Sequence, residues 1–297
     1  MLGFFKKETP GRLTRIIIAI NVVIAIAGLA LDAFLGTRGV AQSILGLHFS
    51  DLAQGKIWQL FTYMWVHAEL VGPTALHLVF NMMTLYMFGR VVESELGPKH
   101  FISIYFLGAL VSVFVFSAEV LLRDGMAIFQ PSPNGEGGLV GASGGVCAIV
   151  MAFALLRPNT KLMIFPIPVP VRAIRMMMVF AGLSLLLVVT AQVLRLSDQD
   201  SMESSGTFWS LLLFQIAHSA HLGGLGWGYF YMVLLHKQMK KKYSQAEPNE
   251  DKGYLKNLSA RELLQESNRV IDKMNRYGVE SLSQEEYEIL DLLRRRM

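Results

Sequence analysis

Gly141-Ala142-Ser143-Gly144-Gly145-Val146-Cys147-Ala148-Ile149-Val150-Met151-Ala152-Phe153-Ala154-Leu155-Leu156 is an apolar run with one hydroxyl and three glycines at its head. Alone it would pass for a buried helix of a soluble protein, and the rest of the chain decides otherwise. Apolar segments over about 16–35, 75–92, 101–122, 139–156, 176–194 and 208–235 are near or above the roughly 20 residues that cross a hydrocarbon core as a helix. Lipid offers backbone N–H and C=O groups no partner, so such segments must be helices packed on one another. The expected fold class is an all-α polytopic membrane protein, a bundle of six transmembrane helices.

The 297 residues, 53% apolar and 17% charged, would by length alone allow one or two soluble domains, but the concentration of apolar residues in spans excludes that. Lys6, Lys7, Arg12, Arg15, Arg90, Lys99, Arg157, Lys161, Arg172, Arg175, Lys237 and Lys240 to Lys242 fall on one side of the bundle, against Arg38, Lys56, Arg123 and Arg195 on the other. Positive charge stays on the cytoplasmic side, so both termini are expected to be cytoplasmic and the protein to lie in the cell (plasma or inner) membrane. The net charge of +4 is explained by basic residues at lipid head groups. The bilayer is therefore the expected partner and nucleic acid is not. The first span exceeds the apolar core of a signal peptide and is read as a span. Cys147 is the single cysteine, which removes a disulfide framework or thiolate metal site; neither metal nor cofactor is expected.

Residues 1–242 form the expected membrane domain, 243–257 a linker, and 258–297 a small helical cytoplasmic appendage. In the appendage, Ser259 with Glu262 and Ser283 with Glu286 have the hydroxyl-then-carboxylate spacing of helix starts. The loop 36–74 carries Trp58, Phe61, Tyr63 and Trp65, residues that favour the membrane interface, and is read as partly helical. Pro131, Pro133, Gly135, Gly137 and Gly138 form a turn-rich entry into the Ser143 segment.

Polar groups at membrane depth are functional candidates when a partner can be named, and Ser143 and His221 can partner each other. Gly141 and Gly145 are four apart, as are Gly224 and Gly228, and each pair shares a helix face. Small residues at that spacing let membrane helices approach closely. Packing of the two faces against each other would bring Ser143 near His221, whereas ordinary helix packing would explain either pair alone. His77 and Asn81, also four apart, can both donate hydrogen bonds to an oxyanion or simply clamp two helices. Amide cleavage needs a nucleophile, a base and oxyanion donors; Ser143, His221, and His77 with Asn81 supply them.

These residues carry a family resemblance. Ala75-Leu76-His77-Leu78-Val79-Phe80-Asn81 resembles the HxxxN element, Gly141-Ala142-Ser143-Gly144 the GxSG element, and Ala220-His221-Leu222-Gly223-Gly224-Leu225-Gly226-Trp227-Gly228 the AHxxGxxxG element of rhomboid intramembrane serine proteases. Gly89, Glu93 and Gly97 further resemble the segment closing that family's second span. The resemblance covers roughly residues 14–236. It implies Ser143 as nucleophile, His221 as general base and acid, and an oxyanion and substrate site at His77, Asn81, Gly141 and the Ser143 amide. Gly145, Gly224 and Gly228 would pack helices. It further implies transmembrane protein substrates that enter beside spans two and five, while the span topology opens the fourth helix toward the outer face and places the expected cut near the outer leaflet. Two positions depart from the pattern: Cys147 stands where the family has an aromatic residue stacked on the imidazole, and Gln59 where it has an arginine after a tryptophan. Two rivals follow. One is a proteolytically silent relative that binds membrane clients. The other is a transporter with a polar pathway, disfavoured by spans three to five, whose polar content is mainly Ser112, Ser117 and Ser184. His48 and His67 are read as solvated loop residues, with the alternative that His67 lines the active-site opening, Asn21 as a helix–helix hydrogen bond, and Asp32 as an interface residue.

Overall fold

The computed structural model describes residues 11–67, 75–130, 138–164, 167–196, 217–245, 258–277 and 282–296. Helix α1 spans Arg12–Leu35, and its buried residues Thr14, Ile17 and Asn21 follow the 3–4 spacing of one helix face. Val23, Ile26 and Phe34 face outward, as expected of a helix wetted by lipid chains. Its first turn is held by Glu93, whose carboxylate accepts hydrogen bonds from the Leu13 amide at 2.9 Å and the Thr14 amide at 2.9 Å. A carboxylate at a helix N-terminus satisfies orphan amides and complements the helix dipole.

The loop after α1 is partly helical, with α2 (Val40–Leu45), α3 (Phe49–Ala53), α4 (Gln59–Thr62) and a 3-10 turn at Tyr63–Trp65. One rod then covers Ala75–Leu96, made of α5 (Ala75–Thr84), a π-helical turn (Leu85–Gly89) and α6 (Arg90–Leu96). Helix α7 (Pro98–Asp124) runs into a 3-10 turn at Gly125–Phe129, and α8 is Ser143–Leu156. A hairpin of β1 (Lys161–Ile164) and β2 (Ile167–Arg172), antiparallel with Lys161 opposite Arg172, leads into α9 (Ala173–Leu196) and then α10 (His218–Gln245).

The fold is a helical membrane bundle. Among the described residues, Arg12–Leu35, Ala75–Leu96, Pro98–Phe129 and Ala173–Leu194 are long and apolar enough to cross a membrane. Two local details differ from the sequence reading. The fourth span begins as a helix only at Ser143, because Gly141 takes φ +111°, a backbone conformation that glycine adopts freely. The described part of the sixth helix starts at His218, and residues 208–216 lie outside the described residues. The return after α8 is a β-hairpin inside an otherwise helical chain.

Helix α8 is buried on every side from Gly144 to Ala154, which makes it the central element. Helix α7 lies against it so closely that a Cβ on Gly145 would stand 2.8 Å from the Tyr105 carbonyl oxygen. The chain divides into two compact units, Met1–Tyr229 and Phe230–Met297. Within the second unit, α11 (Ala260–Tyr277) and α12 (Gln284–Arg296) enclose a core of Leu263, Val270 and Ile289. Both helices begin with a capping box: the Ser259 and Ser283 amides donate to Glu262 and Glu286 at 3.0 and 2.9 Å. The Glu262 and Glu286 amides return the bond to the serine hydroxyls at 3.3 and 3.2 Å.

Candidate active site

Ser143 is the first residue of α8, and the loop before it is tied down by backbone bonds to the α1–α5 connection. Leu47 and Leu139 exchange amide-to-carbonyl bonds of 3.0 and 2.9 Å, and the Gly141 amide donates to the Tyr63 carbonyl at 3.0 Å. Tyr63 is in turn fixed by its hydroxyl, which donates to the Ala109 carbonyl of α7 at 2.8 Å. The approach to the serine is therefore held by hydrogen bonds from two sides.

Helix α10 packs on α8 through glycines. A Cβ on Gly224 would collide with the Gly144 carbonyl oxygen and lie 3.1 Å from Cys147 Cβ, and one on Gly228 would collide with the Ala148 carbonyl oxygen. His221 is three residues before Gly224 and shares its face, so it lies opposite the α8 turn that Ser143 opens. The expected pairing of glycine faces does not form. Gly145 abuts Tyr105 of α7, and Gly141 abuts His77 with Cε1 2.9 Å from a Cβ position. Residues 144, 147 and 148 form the strip that meets α10, because the helix starts at 143 and places those positions toward it.

Ser143 and His221 thus stand on adjacent helices, and among the described residues no hydrogen bond joins them. Catalytic hydrogen bonds are often long before substrate binds. His221 Nδ1 is buried and, among the described residues, has no hydrogen-bond partner. Its ring is flanked by His218, edge-on at 6.1 Å, and by Phe180 of α9 at 6.0 Å. On α5, the Asn81 side-chain amide donates to the His77 carbonyl at 2.9 Å.

His67, read from sequence as a solvated loop residue, is buried. Its Nε2 lies 3.5 Å from the Ala142 amide, and its ring packs edge-on against His77 at 5.5 Å. Loss of solvent, with the His77 ring adding to it, pushes the His67 pKa down to about 3, so the ring is neutral and able to accept. Asn21 donates within its own turn, to the Ile17 carbonyl at 2.9 Å. Asp32 caps α2 by accepting from the Gly39 and Val40 amides at 2.9 and 3.0 Å. Sequence reading also passed over Glu119 of α7, which accepts hydrogen bonds from Gln192 of α9 and Ser219 of α10. It ties α9 to α10, the helix that carries His221, and its only sequence signal was a carboxylate inside a predicted span.

Gln59 fills its position well. It is fully buried, accepts from the His48 amide at 2.9 Å and donates to Asp51 Oδ2 at 2.8 Å. Asp51 also pairs with Lys56 at 2.7 Å, so a neutral amide organises the loop through several bonds.

A half-buried serine at the head of a buried helix, beside a glycine seam to the helix that carries His221, in a bundle with helices long and apolar enough to cross a membrane, defines a polytopic membrane protein. The Rhomboid domain model matches residues 54–238, and the chain belongs to the rhomboid family. It is 28% identical over 213 residues to RHOMBOID-like protein 12, mitochondrial, of Arabidopsis thaliana, covering 70% of this chain and 55% of that one. It is 35% identical over 95 residues to Rhomboid protein 1, mitochondrial, of Saccharomyces cerevisiae, covering 32% of this chain and 25% of that one. It is 28% identical over 109 residues to Rhomboid protease GlpG of Salmonella paratyphi A, covering 37% and 36%. The chain thus spans about half, or less, of the length of these relatives. Their names overturn the expected placement in the plasma or inner cell membrane, since two of the three are named mitochondrial. The physical reason is that Lys and Arg asymmetry orients a bundle in whichever membrane receives it and does not specify that membrane.

Proposed function

We propose that the chain is an intramembrane serine endopeptidase that cleaves transmembrane or juxtamembrane segments of membrane proteins. Ser143 attacks the scissile carbonyl, and His221 takes its proton and later delivers it to the leaving amine. His77, Asn81 and the Ser143 amide donate to the oxyanion beside Gly141. Water then releases the acyl group with His221 again as base. The observation that carries this reading is the glycine seam, where Gly224 meets Gly144 and Cys147 and so presents the His221 face of α10 to the first turn of α8.

A fluorophosphonate probe tests it on the full chain in liposomes. Labelling is expected for the parent protein and is expected to vanish in Ser143→Ala and His221→Ala. The missing Ser143–His221 hydrogen bond favours one other reading, a silent relative that binds membrane clients. A folded protein that takes no label would establish that reading instead.

A further inference from the structure

Phe180 lies on the inner stripe of α9. It follows the buried Met177 by three residues and precedes the buried Ser184 by four, while Met178, Val179, Leu185 and Leu186 face outward. Its ring centroid is 6.0 Å from that of His221, with the planes inclined by 33°, inside the range of offset aromatic pairs. Among the described residues, little else holds the imidazole flat. Nδ1 has no hydrogen-bond partner, His218 meets the ring edge-on at 86°, and Cys147 is a small side chain packed against the α10 backbone at Gly224.

We propose that Phe180 is the positioning residue for His221, a wall supplied by α9 in place of one that Cys147 of α8 is too small to build. The inference rests on the serine-protease reading above. Neutral imidazole gains little from the face of a phenyl ring, but the imidazolium formed when His221 takes the Ser143 proton is attracted to it. The gain belongs to the transition state, so loss of the ring lowers the rate at saturation and leaves probe binding nearly unchanged.

The experiment uses the full chain in nanodiscs, with a fluorophosphonate as probe and NMR of labelled histidine rings as an independent readout. Phe180→Leu is expected to lower the limiting labelling rate roughly five- to thirtyfold, the scale of a partly desolvated cation–π contact. Phe180→Tyr should label within about twofold of the parent, since it keeps the ring, and Val179→Ala, on the outward face, should label as the parent does. The His221 ring signals should move in Phe180→Leu, because the ring current is gone, and stay in Phe180→Tyr. Phe180→Leu with parental labelling, or with unmoved His221 signals, overturns the proposal; if that variant fails to fold, Phe180→Met is read by the same criteria. A parent protein that takes no label sinks the protease reading, and the His221 signals then still decide whether Phe180 holds the ring.

Discussion

Asn81 commits one amide hydrogen to the His77 carbonyl one turn back, which fixes its side chain and leaves a second hydrogen for an acceptor in the site. Asn81→Ala is expected to slow fluorophosphonate labelling roughly a hundredfold, near the scale for one oxyanion donor, with little change in thermal stability. Unchanged labelling would remove Asn81 from that role. Ser143, His221, His77 and Asn81 stood out in the sequence because polar groups in apolar runs are conspicuous. Phe180 did not, since one more aromatic among Met176, Met177, Met178 and Val179 carries no contrast. Glu119 was equally hard to assign, because a carboxylate near a span end shows no role until the donors on other helices are known. His67 was misread for the converse reason: a loop position says nothing about burial when the loop is pinned to a bundle.

Among the elements, the α8–α10 seam has the least tolerance. Gly224→Ala would drive a methyl into the Gly144 carbonyl, so α10 must back away. The expected cost is about 1–3 kcal/mol, seen as a lower unfolding temperature together with loss of labelling. The sequence revealed that close approach occurs here, but not its register, because glycines four apart mark a face and not the partner that meets it. The connection between α1 and α5 offers a different test. Asp51 is held below the usual carboxylate range by its hydrogen bond with Lys56, reinforced by Gln59 and opposed by partial burial. A depressed folded-state pKa contributes stability that is fully present above the unfolded value of about 3.9 and is lost as pH falls through the folded value. Amide exchange in residues 44–59 should therefore accelerate only at pH below the ordinary aspartate range, and Asp51→Asn should flatten that dependence. The aromatic composition of this loop suggested partial helix, whereas its bonds to Leu139 and Gly141 connect residues too distant in sequence for local patterning to register.

For the whole molecule, the apolar runs made the bundle legible at once, because backbone satisfaction in lipid leaves so few solutions. The hairpin after α8 was less so, since Pro158, Pro166, Pro168 and Pro170 do not announce a strand, proline being admitted only at strand edges. Helix α8 has 14 residues, a rise of roughly 21 Å, against a hydrocarbon slab of about 30 Å. The helix is thus a peg too short for the plank it is set in, and, enclosed by longer helices, it leaves its head below the waterline. Stretching the acyl chains of the host liposome should deepen that well and slow labelling of Ser143, and shortening them should speed it. Lipid chain length would then act as a rheostat on the reactivity of Ser143, set by the membrane itself and requiring no ligand.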